Sequence, residues 1–291
     1  MYAVTGITGQ VGGQIAHALL AAGQHVRAVV RDAAKGAPWA ARGCEVALAT
    51  STDREGLTRA FAGVDGVFIM IPPDYDPAPG FPEIDKTIDA LVSAIETSKP
   101  GKVVFLSTVG AHVERLSLLN NSRMIEAALR RVSVPVTFVR AGWFMENAAW
   151  NVADAIKGDI PSFLHPLDHP IPMVATRDIA STAARALLDD WQGTRVIELE
   201  AQQRYSANDI ATSFAKALGR PVTTHIVPPL SWDALFRSQG MRYPEPRIHM
   251  LDGFNEGWID FEGPRAERRI GPTTLDTIIA GLVEAAAQTH T

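Results

Sequence analysis

The first half of the chain alternates between short apolar runs and segments whose apolar residues recur with helical spacing. Between the runs, apolar side chains return every three or four positions, as Val11, Ile15 and Leu19 do. Strands that are apolar throughout and alternate with helices are typical of a parallel sheet covered on both faces. The pattern therefore predicts an α/β fold with a doubly wound parallel sheet, whose first six strands lie at 2–4, 25–30, 45–49, 66–71, 103–106 and 136–139.

The second half of the chain differs in composition, because proline and glycine become frequent between residues 158 and 172. Helices are predicted over 176–188 and 206–219, and strands over 195–199 and 222–227. Residues 240–272 are rich in glycine, proline and aromatic residues, and their pattern predicts no element. We therefore predict a Rossmann domain over residues 1–155 and a smaller C-terminal α/β subdomain over residues 156–291 that packs back on it.

Composition and charge narrow the class of protein. Of the 291 residues, 46% are hydrophobic and 20% charged, as in ordinary globular proteins. The single cysteine excludes a disulfide within the chain and a zinc site built from several cysteines. A net charge of −5 argues against a nucleic-acid partner. With no apolar run as long as a membrane span and no basic start before an apolar stretch, we expect no membrane partner and a cytoplasmic location.

A glycine-rich turn, Thr-Gly-Ile-Thr-Gly-Gln-Val-Gly at 5–12, separates the first predicted strand from the first helix. Glycines allow a tight strand-to-helix passage, and the free N–H groups at a helix start bind anions. This context predicts contacts with the pyrophosphate of a dinucleotide from Gly6, Ile7, Thr8, Gly9, Gln10 and Val11. The alternative is a tight turn that binds no ligand.

The spacing of these glycines and three later motifs carry a resemblance to a known family. The motifs are Val-Val-Arg-Asp at 29–32, Phe-Ala-Gly-Val-Asp-Gly-Val-Phe at 61–68 and Thr-Phe-Val-Arg-Ala-Gly-Trp-Phe-Met-Glu-Asn at 137–147. Together they resemble the NmrA-like family of atypical short-chain dehydrogenase/reductases. The resemblance implies a nicotinamide cofactor. It also implies either a reductase, such as an NADPH-dependent quinone or dye reductase, or a non-catalytic NADP sensor.

The end of the second strand indicates which nucleotide is bound. An arginine there pairs with the 2′-phosphate of NADP, whereas a carboxylate bonds the free ribose hydroxyl of NAD. The chain has Arg31, with Lys35 close behind, so we expect NADP rather than NAD. The alternative stays open at this point, because Asp32 would select NAD if its side chain turned toward the nucleotide.

Later strand ends are expected to border the nicotinamide, since ligands of open α/β sheets lie beyond the carboxyl ends of the strands. The family pattern places Ile71, Pro72, Ser107, Thr108, Gly142, Trp143 and Phe144 there. The aromatic segment that follows the sixth strand predicts a substrate site formed by Phe144, Asn147 and Trp150. Core packing is the alternative role for these aromatic side chains.

No general acid can be assigned. Short-chain dehydrogenases use the tyrosine of Tyr-x-x-x-Lys, and none of the four tyrosines has a lysine four residues later. In many relatives a lysine or histidine stands where this chain has Ser122, and the other candidate for the catalytic acid is His112, one of three loop histidines, with His165 and His169, that could carry a proton. Asn120, Asn121 and Ser122 also suit a helix N-cap. His165 and His169 lack a third ligand at metal spacing, so we predict no metal site.

These observations predict a reductase that passes a hydride from NADPH to a flat, electron-poor small molecule such as a quinone. Reduction of a quinone gives a phenolate-like anion, which needs no strong acid in the site. The alternatives are a non-catalytic NADP(H) sensor and a carbonyl or imine reductase that uses His112 or His165. A homodimer is compatible with the sequence.

Overall fold

A computed structural model of the chain describes residues 1–289. The strands are β1 Tyr2–Val4, β2 Val26–Val30, β3 Glu45–Leu48, β4 Gly66–Ile69, β5 Val103–Thr108, β6 Val136–Ala141, β7 Trp143–Phe144, β8 Asp159–Ser162, β9 Met173–Val174, β10 Thr194–Ala201, β11 Thr223–Ile226 and β12 Glu267–Gly271. The helices are α1 Gln10–Ala21, α2 Ala33–Ala40, α3 Arg54–Phe61, α4 Pro82–Ser98, α5 Asn120–Leu129, α6 Val152–Lys157, α7 Thr176–Leu188, α8 Ala207–Leu218, α9 Trp232–Ser238, α10 Glu245–Asn255 and α11 Leu275–Thr289. No helix within residues 1–289 is long and apolar enough to cross a membrane.

Eight parallel strands form the central sheet in the order β12-β10-β6-β5-β4-β1-β2-β3. Strands β2 and β3 follow on one side of β1. The chain then crosses back, and β4 pairs with β1 on its other side. The carboxyl ends of all eight strands lie at the same edge, and the reversal between β1 and β4 opens a crevice there. The predicted doubly wound α/β fold is confirmed.

Each face of the sheet is covered by helices, as the unbroken apolar runs require. On one face, Val4 and Phe68 of the sheet pack with α1 and α7 in one core cluster. On the other face, Ala3 and Val67 pack with α3, α4 and α5 in a second cluster. Adjacent residues of each strand thus enter opposite cores, which explains why β1 and β4 carry no charged side chain.

The second half of the chain contributes to the sheet as well as covering its carboxyl edge. The predicted strands at 195–199 and 222–227 form β10 and β11, and β10 pairs with β6. Residues 240–272, for which no element was predicted, contain α10 and the edge strand β12. The sheet therefore continues past residue 155, and the division into two domains at that point stays a prediction.

The start of α5 differs from the predicted cap. The N-cap position is Leu119, whose side chain makes no capping hydrogen bond, although the Oδ1 atom of Asn121 accepts the Ser122 backbone N–H at 2.6 Å within the first turn. Instead, the Oδ1 atom of Asn120 accepts a hydrogen bond from the Ser117 backbone N–H at 2.6 Å. The polar segment thus fixes the turn that precedes the helix.

A buried ion cluster joins β6, α5 and the chain before β12. The Nε and Nη2 atoms of Arg140 donate to both carboxylate oxygens of Glu126 at 2.9 and 2.8 Å, and Nη1 donates to Glu262 at 2.8 Å. Glu198 lies 3.7 Å from Nη1 and accepts the Glu262 backbone N–H at 2.7 Å. The hydrogen bond from Arg140 lowers the pKa of Glu262, so the stability that it adds is present at neutral pH and is lost as the pH falls.

Replacing Arg140 by methionine should lower the free energy of unfolding by about 3–5 kcal/mol, because it leaves buried carboxylates without their cation. The matched control is Arg59→Ala, which removes an exposed partner of Glu55 at 3.9 Å and should cost at most about 1 kcal/mol. Denaturant unfolding at pH 7 measures both. Equal, small losses for the two variants would show that the buried cluster does not hold the fold together.

Candidate functional site

A cavity of about 570 Å³ opens at the carboxyl edge of the sheet, between the strand ends and the second half of the chain. Its walls are mainly apolar and aromatic. The residues that line it include Met70, Ile71, Pro73, Tyr75, Ser107, Thr108, Gly142, Trp143, Phe144, Asn147, Trp150, Asp154, Phe163, Ile210, Arg247, Met250, Leu251 and Phe254. Its size and lining are those of a site for a small organic molecule.

Most of the predicted nicotinamide and substrate residues lie together on this cavity. Those that line it are Ile71, Ser107, Thr108, Gly142, Trp143, Phe144, Asn147 and Trp150. Pro72 is exposed and is not part of the lining, whereas the neighbouring Pro73 is. The parallel register pairs Thr108 at the end of β5 with Ala141 at the end of β6, which explains why segments 33 residues apart meet. The structure shows this convergence, and the contact of each residue with a ligand stays a prediction.

The aromatic residues that line the cavity, which we call the aromatic wall, are Tyr75, Trp143, Phe144, Trp150, Phe163 and Phe254. Trp143 is held in place by several contacts. The backbone N–H of Trp143 donates to the Pro172 carbonyl at 2.8 Å, and its ring meets Phe254 edge to face with centroids 5.3 Å apart. A side chain at Gly142 would place its Cβ 2.7 Å from the same carbonyl, so this close approach requires glycine. The position of Trp143 in the wall is thus fixed by its backbone hydrogen bond and by the contact of its ring with Phe254.

The glycine turn leaves an open surface at the start of α1. Gly6 has a φ of +61°, and a Cβ at Gly12 would lie 2.4 Å from the Gly6 carbonyl oxygen, so both positions require glycine. Gly9 is exposed at the N-cap of α1, and no side chain bonds the helix start. Backbone N–H groups beside an unobstructed surface fit the phosphate groups of a dinucleotide.

The side chains of the turn have different surroundings. Ile7 and Val11 are buried in the core, so only their backbone could contact a nucleotide. Thr8 and Gln10 are exposed, and the Oε1 atom of Gln10 accepts a hydrogen bond from Thr176 at 3.4 Å. The turn can therefore offer a ligand its backbone and the side chains of Thr8 and Gln10.

At the end of β2, the contacts of Asp32 differ from those of Arg31 and Lys35, the two cations of the predicted nucleotide site. The Oδ1 atom of Asp32 accepts the backbone N–H of Ala34 at 2.8 Å and caps α2. Arg31 and Lys35 are exposed and form no ion pair with any residue of the described chain. The carboxylate is thus engaged within the protein, while both cations are available to a phosphate.

Neither weak candidate for a general acid lines the cavity. His112 is exposed near Asp260 and Glu262, and Ser122 lies in the first turn of α5. Among the described residues that line the cavity there is no histidine or lysine. Ser107 lines it, but its hydroxyl donates to the buried Glu126 carboxylate at 2.6 Å. The geometry therefore offers orientation and apolar enclosure, and a catalytic role for Ser122 or His112 stays a prediction.

Two residues of the site region were not predicted from the sequence. Glu146 accepts the backbone N–H of Thr176 at 2.9 Å and its hydroxyl at 2.7 Å, and so fixes the start of α7 beside that of α1. Its place in the aromatic motif was the available signal. Arg247 lines the cavity from α10, in a segment for which no element was predicted. No local pattern indicated its position.

Substituting Gly12 by alanine should lower the free energy of unfolding by about 1–3 kcal/mol, because the new Cβ would collide with the backbone of Gly6. Gly281→Ala is the matched control, since this glycine also lies in a helix but has open space around it. The control should be neutral or up to about 1 kcal/mol more stable. Thermal and denaturant unfolding compare the two, and a neutral Gly12→Ala variant would contradict the tight turn.

The chain is similar in sequence or in fold to several known proteins. An NAD(P)H azoreductase of Xenophilus azovorans is 29% identical over 226 residues, which are 76% of this chain and 75% of that protein. A (4-alkanoyl-5-oxo-2,5-dihydrofuran-3-yl)methyl phosphate reductase of Streptomyces griseus is 28% identical over 247 residues, 84% of this chain and 83% of that protein. The NADPH complex of an NADPH-dependent quinone oxidoreductase from Escherichia coli has the same fold, with a TM-score of 0.77, 22% identity and 100% coverage of both chains.

The family is shown by a match that spans most of the chain. The model of the NmrA-like family matches residues 2–271, from the first strand of the sheet to the end of β12. The match thus includes the glycine turn, the aromatic wall and α10, and it confirms the resemblance found in the motifs. This chain belongs to the NmrA-like family.

Proposed function

We propose that this protein binds NADPH at the glycine turn and transfers a hydride to a flat, electron-poor small molecule in the cavity. One observation carries the proposal: the turn and the cavity are contiguous. Met70 lines the cavity, and its Cε atom would lie 2.5 Å from a Cβ atom placed on Gly6. A dinucleotide held at the turn can therefore extend toward the aromatic wall.

The relatives support the type of reaction without defining the acceptor. By their names, one reduces azo compounds, one a dihydrofuranyl methyl phosphate and one a quinone. All three names describe reductases or oxidoreductases, and two of them also name a nicotinamide nucleotide as the electron donor. We therefore propose the same cofactor chemistry here and derive the acceptor from the cavity itself.

The state of the β2 end favours NADP over NAD. A carboxylate that already caps α2 does not need to bond a ribose hydroxyl, and Arg31 is exposed beside it. A guanidinium can bond a phosphate with two parallel N–H donors. We infer that Arg31, with Lys35 near it, receives the 2′-phosphate.

The proposed mechanism relies on orientation and enclosure. NADPH, when bound, supplies the hydride, which carries two electrons to the acceptor, and a proton from water completes the hydroquinone. The rings of Trp143 and Phe144 offer the acceptor a flat apolar surface, and the ring of Phe254 packs edge to face against that of Trp143. Holding two reactants face to face against an apolar wall lowers the barrier without a charged acid, and the proton is taken from water.

The cavity favours an enzyme over a sensor. A non-catalytic sensor would use the glycine turn and Arg31, but it would have no use for an aromatic cavity next to the nicotinamide end. The decisive test is loss of NADPH absorbance with a panel of quinones, azo compounds and conjugated enones. NADPH binding without turnover of any acceptor would overturn the reductase proposal and support the sensor.

Replacing Arg31 by alanine should weaken NADPH binding roughly tenfold to a hundredfold, as expected for the loss of charge-assisted hydrogen bonds. The affinity for NADH should hardly change, because NADH lacks the 2′-phosphate. Isothermal titration with each nucleotide measures this difference. Arg131→Ala, at an exposed arginine that precedes β6 on the opposite edge of the sheet, is the control and should leave both affinities unchanged. Equal weakening for both nucleotides would contradict a phosphate contact.

A further inference from the structure

The cavity contains one cation that the protein does not neutralise. Arg247, on α10, is half-buried, and its guanidinium lies over the ring of Phe236 at 4.3 Å from the centroid. Its Nη1 atom lies 3.7 Å from the sulfur of Met241. Among the described residues no carboxylate lies within ion-pair distance of this guanidinium. The donors of this guanidinium thus have no anionic acceptor from the protein.

Two other arginines that are withdrawn from solvent, the fully buried Arg140 and the half-buried Arg204, are paired with carboxylates. Arg140 bonds both oxygens of Glu126, and Arg204 bonds both oxygens of Asp260 at 2.7 Å. Removing a guanidinium from water without a partner is unfavourable. Burial accordingly lowers the pKa of Arg247, although an arginine keeps its charge at neutral pH. An unpaired cation in this position is costly to the fold unless a ligand supplies the anion.

Arg247 lies on the face of α10 that lines the cavity. Met250, Leu251 and Phe254 follow it by three, four and seven residues and line the same cavity. Residues with this spacing share one face of a helix, so the arginine occupies a position in an otherwise apolar stripe. The start of α10 is fixed, since the carbonyl of Pro246 accepts the Leu118 backbone N–H at 2.8 Å. A cation placed in the apolar wall of a substrate cavity is suited to select a charged group.

No second charge in the cavity cancels that of Arg247. Among the described lining residues, the other charged side chain is Asp154, which pairs with Lys157 at 2.9 Å. Asp76, near the mouth of the cavity, accepts the backbone N–H groups of Arg242 and Tyr243 at 3.0 and 2.6 Å. The acidic residues of this region are thus engaged within the protein.

We propose that Arg247 is a specificity-determining residue that binds an oxyanion of the acceptor, so that the preferred substrates are flat electron-poor compounds bearing a carboxylate, sulfonate or phosphate. The planar guanidinium matches the two oxygens of such groups, while the aromatic wall receives the ring. This inference deepens the proposed function and rests on it for the reduction step alone. Binding of the anion itself requires neither cofactor nor hydride transfer.

The test uses two ligands that cannot be reduced by a hydride: naphthalenecarboxylate and the neutral naphthalenemethanol of similar shape. Calorimetry, or quenching of the fluorescence of Trp143 and Trp150, measures binding to the full chain. The unaltered protein should bind the carboxylate roughly tenfold to a hundredfold more tightly than the alcohol. Arg247→Gln should remove this preference while leaving the affinity for the alcohol unchanged, which also shows that the cavity remains folded.

Two further variants complete the design. Arg247→Lys should keep part of the preference, because the charge stays while the fork geometry is lost. Arg242→Gln removes an exposed cation close to the cavity mouth and should keep the full preference. Equal binding of the two ligands by the unaltered protein would overturn the proposal. Preference retained by a folded Arg247→Gln variant, or lost equally in Arg242→Gln, would overturn it too.

Steady-state reduction of a naphthoquinone and its sulfonated derivative by NADPH separates this inference from the proposed function. A lower KM for the sulfonated quinone that is lost in Arg247→Gln supports both. Anion preference in binding with no NADPH oxidation supports the anion site and contradicts the reductase. Turnover of both quinones with equal KM, together with equal binding of the two naphthalene ligands, overturns the anion site while the reductase stands.

Discussion

The ion pair between Arg140 and Glu126 is the interaction on which the site most depends. It lies at the carboxyl end of β6, with both side chains nearly inaccessible to water. Glu126 also accepts the hydroxyl of Ser107, whose residue lines the cavity, and Arg140 donates to Glu262 from the second half of the chain. One guanidinium thus connects the base of the cavity, helix α5 and the segment that leads to the last strand of the sheet.

The reversal of strand order between β1 and β4 then determines where chemistry can occur. The hydroxyl of Thr5, at the end of β1, accepts the backbone N–H of Met70 at 2.9 Å and links the glycine turn to the end of β4. Met70 also lines the cavity. Because the glycine turn and the aromatic wall lie on the same edge of one sheet, the fold would set the distance between a dinucleotide at the turn and an acceptor in the cavity, as the proposed function requires. Orientation can therefore replace a strong acid.

The sequence predicted those features that are encoded by local patterns. The six initial strands are apolar runs because they are buried on both faces, and the cavity residues at their ends follow from the geometry of a parallel sheet. β12 escaped detection because this edge strand carries Glu267, Arg268 and Arg269 in place of an apolar run. Local sequence does not decide between Arg31 and Asp32; the cap that Asp32 forms on Ala34 favours Arg31, whose contact with a nucleotide stays a prediction. Arg247 could not be found from local sequence, since its place in the cavity results from long-range packing.

Transfer of a hydride within the cavity is the central claim, and an isotope effect tests it most directly. Single-turnover oxidation of NADPH, deuterated in turn at each of the two C4 positions, is followed with a sulfonated naphthoquinone in excess. Because the aromatic wall fixes one geometry, we expect deuterium at one position to slow the reaction several-fold and deuterium at the other to have almost no effect. Equal rates for both labelled forms and unlabelled NADPH, at the rate seen without protein, would contradict the account.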